Sequence, residues 1–441
     1  MPVSFISRLS LVLGLCALGA SVTAADWPVA RATPQNTARA AETIKPPFKP
    51  AWTLKGAAND ALLVAGGRLY YTRKRAGGLR DLMQVEIRTG AEKRLIANVA
   101  QTGAVAPALG RIFTVLRESE KPSSVSRLGA NLWESHIAAV DLQSGRVLWK
   151  HPIGEHPQTP AISPVTTDGR YVYLVNIPYW VPGDPVSPAS LICLDAKTGE
   201  RVGFHEWPRL FGSQVGVTAG PPVIDASGAV AIALGYQGPD AFAGQLWVFR
   251  PGPGVSDGPV ARIGDPDSAS AHQGAIGWPV AAGGAVLAFK PGDRLGAWTI
   301  RQGGEFVEKW SARASAGKAL AVTGGAKPLV LVADSGARRL AALALDTGKP
   351  VWSRAANATG MGASAGSVVF VPCQEKRPVK PGTRGRTDIL DGVLLAVDAA
   401  TGKTLWSVQK PDVTYNQPVI AAGRLFVSDT DGILTCYAPA R

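Results

Sequence analysis

Short runs of alternating apolar and polar residues, each closed by a glycine-containing turn, recur along nearly the whole chain. The clearest set lies near the C-terminus. There Leu394-Leu395-Ala396-Val397-Asp398 alternates as a strand, Thr401-Gly402-Lys403 turns the chain, and Leu405-Trp406 begins a second strand. Gln417-Pro418-Val419-Ile420, a Gly423-Arg424 turn and Leu425-Phe426-Val427 follow. Runs of this length between glycine turns predict consecutive antiparallel hairpins.

The same strand-turn-strand string repeats. Val140-Asp141 leads to Ser144-Gly145-Arg146 and Trp149, Leu194-Asp195 to Thr198-Gly199-Glu200, and Leu343 to Thr347-Gly348-Lys349 and Trp352. A weaker copy places Val85-Glu86 before Thr89-Gly90. The other turn recurs as Gly67-Arg68, Gly110-Arg111 and Gly169-Arg170. With degenerate copies at Gly254 and Gly303, the turn glycines are spaced 55, 54, 55, 49, 45 and 54 residues apart. A fixed period of this kind marks a repeat architecture. Seven units are complete and an eighth is split. Gly432-Ile433-Leu434-Thr435-Cys436-Tyr437 stops where a last strand is due, and Pro50-Ala51-Trp52-Thr53-Leu54 supplies one at the other end. The fold class is therefore all-β: an eight-bladed β-propeller of four-stranded antiparallel blades, closed by a blade shared between the termini. Closure of that kind leaves only short edges to protect.

The Ala-Val-Asp-x-x-Thr-Gly-Lys-x-x-Trp string at 396–406 resembles the repeat of pyrroloquinoline-quinone-type propellers. Asp26-Trp27-Pro28 and Pro34-Gln35-Asn36-Thr37 are similar to the opening of exported members of that group. The resemblance implies eight blades with Trp52, Trp149, Trp310, Trp352 and Trp406 packed between them. It also implies one of two functions. One branch contains a non-catalytic scaffold that assists assembly of outer-membrane β-barrel proteins. The other contains quinone-dependent alcohol dehydrogenases, which set an adjacent cysteine pair against the cofactor and hold calcium with acidic and amide side chains.

The first 25 residues change the picture of where the chain works. Arg8 precedes an apolar run over 9–20, too short for a membrane span, and Val22-Thr23-Ala24-Ala25 has the small residues of a cleavage site. Residues 1–25 read as a signal peptide, 26–48 as an N-terminal extension and 49–441 as the single propeller domain of an exported protein, periplasmic or secreted. Leu15 is bulky where a lipid-attachment signal wants a small residue before Cys16. No later run reaches the ~18 apolar residues of a transmembrane helix. The remaining Cys193, Cys373 and Cys436 are too few and too scattered for a disulfide framework and read as buried free thiols. Fifty glycines and thirty-four prolines suit short strands and turns, and a net charge of +13 favours anionic surfaces or polyanions as partners.

Antiparallel alternation divides the loops. If the strands of a blade are A to D from the axis outward, the tight A–B and C–D turns share one face. The D–A and B–C connections share the other. B–C connections are long at 117–136, 176–190, 235–244 and 373–392, and long connections on a rigid scaffold are where binding concentrates. Ile177-Pro178-Tyr179-Trp180-Val181-Pro182 reads equally as a ligand-stacking loop or a self-packed lid. The D–A connections place Gln158, Gln214, His272, Gln273, Lys318, Tyr415 and Asn416 around the axial mouth, the default small-molecule site. Water-filled channel ends are polar too, so the same residues suit a channel rim with no ligand. Two B–C connections are basic, with Arg73, Lys74, Arg75 and Arg80 in the first unit and Lys376, Arg377, Lys380, Arg384 and Arg386 in the seventh. They form either one positive patch or solvated charged loops.

Catalytic patterns are missing. There is no Cys-Cys pair, no Cys-x-x-Cys-His haem attachment and no nucleophile elbow, and His136, His151, His156, His205 and His272 show no zinc spacing. The expectation is a scaffold without catalytic residues, metal or cofactor. It binds a protein or anionic envelope component, and no specific nucleic acid, through its loop-rich face. The alternative is a quinoprotein dehydrogenase, or another quinone- or small-molecule-binding protein, using pyrroloquinoline quinone with calcium at the axial mouth.

Overall fold

The computed structural model describes residues 26–440 apart from 126–130, 157–161, 178–188, 208–215, 238–241, 264–275, 291–293, 302–304, 315–318, 335–337 and 378–388. The proposed leader therefore lies outside the described residues, as do Gln158, Gln214, His272, Gln273, Lys318, Lys380, Arg384 and Arg386.

Eight sheets follow one another around a ring, each built on four antiparallel strands, and Arg39–Ala40 of the N-terminal extension adds a short parallel strand to the seventh. Blade 1 runs through Leu63–Ala65, Arg68–Lys74, Arg80–Glu86 and Glu92–Ala97. Blade 2 uses Val99–Ala106, Arg111–Arg117, Asn131–Asp141 and Val147–His156, with Ser124–Val125 paired on its third strand. Blade 3 spans Thr166–Thr167 to Arg201–Glu206 and blade 4 spans Gly216–Ala219 to Pro259–Ile263. Blade 5 spans Ile276–Ala282 to Phe306–Arg313, and blade 6 spans Ala319–Val322 to Pro350–Ala355. Blade 7 runs through Ala363–Ala365, Val368–Arg377, Ile389–Asp398 and Thr404–Lys410. Blade 8 takes Val419–Ala421, Arg424–Ser428 and Ile433–Pro439 from the C-terminus and its outer strand, Phe48–Lys55, from the N-terminus. Trp52 stands opposite Cys436 in that closing pair.

The repeated turn explains itself at atomic level. Asp141 Oδ1 accepts from the Ser144 backbone N–H at 2.7 Å and the Ser144 hydroxyl at 2.6 Å, which pulls its pKa below the usual aspartate value. Asp398 grips Thr401 in the same way. The glycine that follows takes a left-handed φ, 68° at Gly348 and 71° at Gly402, where other residues are strained. It also receives the tryptophan of the preceding blade. A Cβ on Gly348 would stand 2.5 Å from the Trp310 ring, and one on Gly402 would stand 2.7 Å from Trp352. The indoles donate to the same turns, Trp310 to the Leu345 carbonyl at 2.9 Å and Trp352 to Ala399 at 2.7 Å. Trp52 and Trp149 dock likewise on the turns of Gly90 and Gly199. Trp406, facing blade 8, meets Phe48 and Tyr437 edge-on instead.

Three seams lack this tryptophan. The equivalent outer-strand position, opposite a third-strand residue, holds Arg94 in blade 1, Gly203 in blade 3 and Ala261 in blade 4. At the seam of blades 3 and 4, a 3-10 turn over Gly252–Val255 moves into the space. A Cβ on Gly203 would meet the Gly252 carbonyl oxygen at 2.5 Å. The close-approach glycine of blade 4 is thus Gly252, packed on Tyr171 at φ 60°, and Gly254 does not take that place.

The loop readings need correction at two places. Much of 235–244 is strand, because Val230–Gln237 and Phe242–Phe249 pair to Gln237 opposite Phe242. Arg73, Lys74, Arg80, Lys376 and Arg377 also lie on strands, leaving only Arg75 of the described basic residues in a connection. The B–C hairpins of blades 1 and 7 run further than their charged residues suggested, since backbone pairing is indifferent to exposed charge.

The extension before the first blade carries the largest structural content that periodicity did not show. It walks once around the ring on the tight-turn face, meeting the inner strands in order. Trp27 pairs with Val64 in both directions, and the Pro28 carbonyl accepts from Val105 N–H at 2.7 Å. Pro34, Gln35, Thr37 and Ala38 carbonyls accept from Ile224, Ala281, Val322 and Ser364 at 2.8–2.9 Å. The Glu42 carboxylate then takes the Gly423 N–H of blade 8. Val29 packs with Val165 of blade 3, the one blade that has no such hydrogen bond among the described residues. Left-handed Ala32, Asn36 and Ala38 bend this strap into its curve, and Trp27 is fully buried beneath it.

Candidate functional site

The mouth on the face opposite the tight turns opens into a cup of about 420 Å³, and Ala30 of the strap is among its lining residues. The described walls come from the D–A connections at 59–61 of blade 1, Pro164 of blade 3, 359–361 of blade 7 and 414–417 of blade 8, and from the inner strands at 101–103 of blade 2 and Trp278 of blade 5. Gly103, at φ 91°, forms part of the wall because a Cβ there would sit 1.7 Å from the Phe113 carbonyl oxygen. Arg31, the residue after Ala30, is 1% exposed, and burial of its guanidinium pulls the pKa down to about 9.

Tyr415 and Asn416, the two predicted mouth residues that are described, both line this cup. Asn416 Nδ2 donates to Ser428 Oγ at 2.9 Å and reaches Asn59 Oδ1 at 3.3 Å, which ties blade 8 to blade 1. Tyr415 is 5% exposed, and burial holds its hydroxyl protonated well above the ordinary tyrosine range. Sequence reasoning passed over Asn59, Asp60, Gln101, Thr102, Thr359, Gln417 and Trp278. Asn59, Asp60, Thr359 and Gln417 occupy D–A connections, where the rule that found Tyr415 and Asn416 also reaches, whereas Gln101, Thr102 and Trp278 lie on inner strands, where it does not. Asn59 and Asp60 were hidden because their connection follows the strand of the split blade.

The described lining mixes polar side chains with a larger share of apolar surface. Its one described carboxylate, Asp60, accepts from Thr72 Oγ1 at 2.6 Å and pairs with Arg80 at 2.7 Å. Thr102 Oγ1, Thr359 Oγ1 and Gln417 Nε2 are shielded from solvent and have no hydrogen-bond partner among the described residues.

The described arginines of the expected positive patch are balanced by carboxylates. Arg73 bonds Glu92, Arg75 contacts Asp81 at 3.2 Å and Glu120 at 2.7 Å, and Arg80 takes Asp60. Across blade 8, Arg377 contacts Asp391 at 3.3 Å and Asp412 at 3.5 Å. Lys74 and Lys376 are exposed. On the same face, two of the B–C hairpins carry exposed aliphatic side chains, Val125 of blade 2 at 62% and Leu390 of blade 7 at 38%. Of the Pro-rich connection in blade 3, only Ile177 is described, and it packs on the core.

Cys193 and Cys373 are buried, and burial pushes both thiols up to about 12; Cys436 rises to about 11. They sit in blades 3, 7 and 8. Among the described residues no three His, Cys, Asp or Glu side chains converge as metal ligands.

A family model described as outer membrane protein assembly factor BamB matches residues 189–440, more than half of the chain. The chain belongs to this family. The match runs from the third strand of blade 3 to the last strand of the BamB-type propeller. No curated protein matches the chain. Among solved structures, BamB from Moraxella catarrhalis is 12% identical, with TM-score 0.58, over 89% of this chain and 100% of that one. The quinohemoprotein alcohol dehydrogenase ADHIIG from Pseudomonas putida HK5 is 11% identical, with TM-score 0.50, over 94% of this chain and 82% of that one. At these identities both likenesses are of fold. Among the described residues no cysteine lines the cup, and its one carboxylate, Asp60, pairs with Arg80.

Proposed function

We propose that this protein is an exported, non-catalytic propeller scaffold that holds a protein partner of the cell envelope on its loop-bearing face. The observation that carries this reading is the pair of B–C hairpins that expose Val125 and Leu390 on that face. Each is a single exposed aliphatic side chain, so the two mark points of contact and not a continuous apolar patch. Membership of the assembly-factor family supports a protein partner as well. The ion pairing of Arg73, Arg75, Arg80 and Arg377 supports a partner that reads shape and mixed charge, over one held by a bare positive field. Export rests on the leader-like residues 1–25.

The test is capture of partners from an envelope extract by the mature protein, compared with Val125→Asp and Leu390→Asp and repeated across a salt series. A partner retained at high salt and lost with either substitution supports the reading. A partner lost with salt and indifferent to both substitutions points to a polyanion and overturns it. Quinone with calcium serves as the control for the dehydrogenase alternative. A ligand that binds only the folded state raises the melting temperature, and a saturable rise with a retained chromophore would remove the non-catalytic reading.

A further inference from the structure

We propose that the groove between blades 4 and 5, on the tight-turn face, is a docking pocket for an aromatic side chain of a partner protein, flanked in that partner by a basic residue. The inference adds a contact on the face opposite the B–C hairpins and does not rest on the scaffold reading.

The first ground is what the repeat puts in this space elsewhere. At four seams an indole from the outer strand of one blade donates to a carbonyl of the next: Trp52 to Ile87, Trp149 to Ala196, Trp310 to Leu345 and Trp352 to Ala399. In blades 3, 6 and 7 the acceptor lies two residues beyond Leu194, Leu343 and Val397, where the third strand passes its bulge. In blade 5 the bulge falls between Ala297 and Trp298, so the equivalent residue is Ile300. Blade 4 offers only Ala261 at the tryptophan position, and Ile300 lines an open groove of about 570 Å³. The receiving side of the seam is built, and the ring that the preceding blade supplies elsewhere is missing.

The second ground is the surface that an incoming ring would meet. Val248 and Trp298 are buried members of the lining, while Ala229, Val260 and Ile300 are half-buried and keep surface open to solvent. A ring seated there covers those aliphatic groups and packs beside Trp298. The volume falls within the roughly 300–1,000 Å³ of pockets that enclose small groups. An aromatic anchor in such a pocket is the usual centre of binding energy between proteins.

The third ground is charge. Asp225, half-buried in the A–B turn of blade 4, also lines the groove. Its Oδ1 accepts from the Ser227 N–H at 2.8 Å, the Ser227 hydroxyl at 2.6 Å and the Ala229 N–H at 3.0 Å, which fixes the carboxylate in place. Arg250 and Arg301, which follow the third strands of blades 4 and 5, contact Asp257 at 3.7 Å and Glu305 at 3.5 Å instead. A positive side chain beside the incoming ring therefore meets a held negative charge. Gln35 of the strap adds an amide to the lining, its own carbonyl tied to the Ala281 N–H at 2.9 Å.

The test is titration of the intact protein by calorimetry and saturation-transfer NMR. The probes are end-blocked peptides of sequence Lys-Trp-Lys, Lys-Ala-Lys and Glu-Trp-Glu, with free indole as the small-molecule counterpart. Lys-Trp-Lys should saturate, and should bind at least about tenfold more tightly than Lys-Ala-Lys. Its advantage over Glu-Trp-Glu should be about threefold, since the charge contact is partly exposed. Val260→Trp supplies an indole from the chain's own outer strand and should abolish Lys-Trp-Lys binding in a protein that still melts cooperatively. Asp225→Asn keeps the turn's hydrogen-bond acceptor and should erase only the preference for lysine over glutamate. Failure of Lys-Trp-Lys to saturate, equal binding of Lys-Ala-Lys, or wild-type affinity in Val260→Trp overturns the proposal. Free indole binding as tightly as Lys-Trp-Lys also overturns it, by making the groove a small-molecule pocket. Val125→Asp and Leu390→Asp lie on the opposite face and should leave peptide binding unchanged, so failure here is distinct from failure of the scaffold reading.

Discussion

The seam between blades 6 and 7 and the seam between blades 4 and 5 fill the same kind of space from opposite sides. In the first, Trp352 reaches forward from the outer strand of blade 6 and lies on Gly402 of the next turn. In the second, the outer strand of blade 4 offers only Ala261, and Trp298 fills in from the third strand of blade 5, leaning over its own Gly296. The fit there is looser. A groove of about 570 Å³, lined by Val248, Val260, Trp298 and Ile300, remains open on the tight-turn face. A smaller one of about 320 Å³, lined by Arg68, Gln84, Lys93 and Leu142, lies between blades 1 and 2, where Leu95 packs on Gly145. Ring closure therefore tolerates a missing tryptophan, with a cleft at two of the three seams that lack it and a 3-10 turn filling the third. The lesson is that the repeat residue sets local tightness, while the ring itself sets the number of blades.

Four measurements sharpen or break this contrast. The largest effect is expected from Trp352→Ala, which opens a cavity and orphans the Ala399 carbonyl; unfolding should lose ~3–5 kcal/mol. Trp298→Ala borders space that is already open and should fall near the bottom of that range, at ~3 kcal/mol. Equal losses in denaturant unfolding would break the contrast. Next comes Gly348→Ala, which combines a left-handed φ with overlap on Trp310 and should cost ~2–4 kcal/mol. Gly284→Ala has a similar φ of 70° and nothing within 4 Å of the new Cβ, so only the backbone part remains, ~1–2 kcal/mol.

A pH scan probes the aromatic packing at the seam of blades 3 and 4. Burial lowers the pKa of His205, which lies among Trp207, Trp247 and Phe249, and burial also lowers His151 and His156. The unfolded chain then binds more protons than the folded one below about pH 6.5. Stability should be full above that pH and fall as the solution is acidified toward the folded values. Thermal melts at pH 7.5 and 5.5 check the sign, and His205→Phe should shrink the difference. The smallest effect is expected from Val351→Thr. This side chain is 50% exposed beside Trp352, and the change should stay within ~0.5 kcal/mol. A larger loss would move the credit from the tryptophan to the strand that bears it.

The repeat was legible because its turn demands particular residues. An Asp to cap the turn, a glycine for the left-handed φ and a tryptophan to cover it are all visible in one dimension. The split blade was legible for the same reason, since a unit that stops early must be completed elsewhere. The strap was not, because its order comes from hydrogen bonds to other elements and its left-handed bends fall on Ala32 and Ala38, which do not advertise them. Half of the cup's logic could be read from Tyr415 and Asn416. Thr102 and Thr359 look like ordinary strand and loop residues until the ring brings them together. The arginine runs misled because their carboxylates sit elsewhere. Glu92, Asp81 and Asp60 come from other strands and connections, and a linear run of charge cannot show its cross-strand partners.

The strap has a consequence for how the molecule is made. Its backbone is matched in sequence order to inner strands that run from Val64 to Ser364, and Phe48–Lys55 waits for Ile433–Pro439. The first described part of the chain to be synthesised is thus the last to find all its partners. Contacts so distant in sequence make ring formation slow relative to the folding of each local hairpin. The strap also acts as a ruler. A ring one blade short would offer the strap one inner strand fewer than its contacts are spaced to meet.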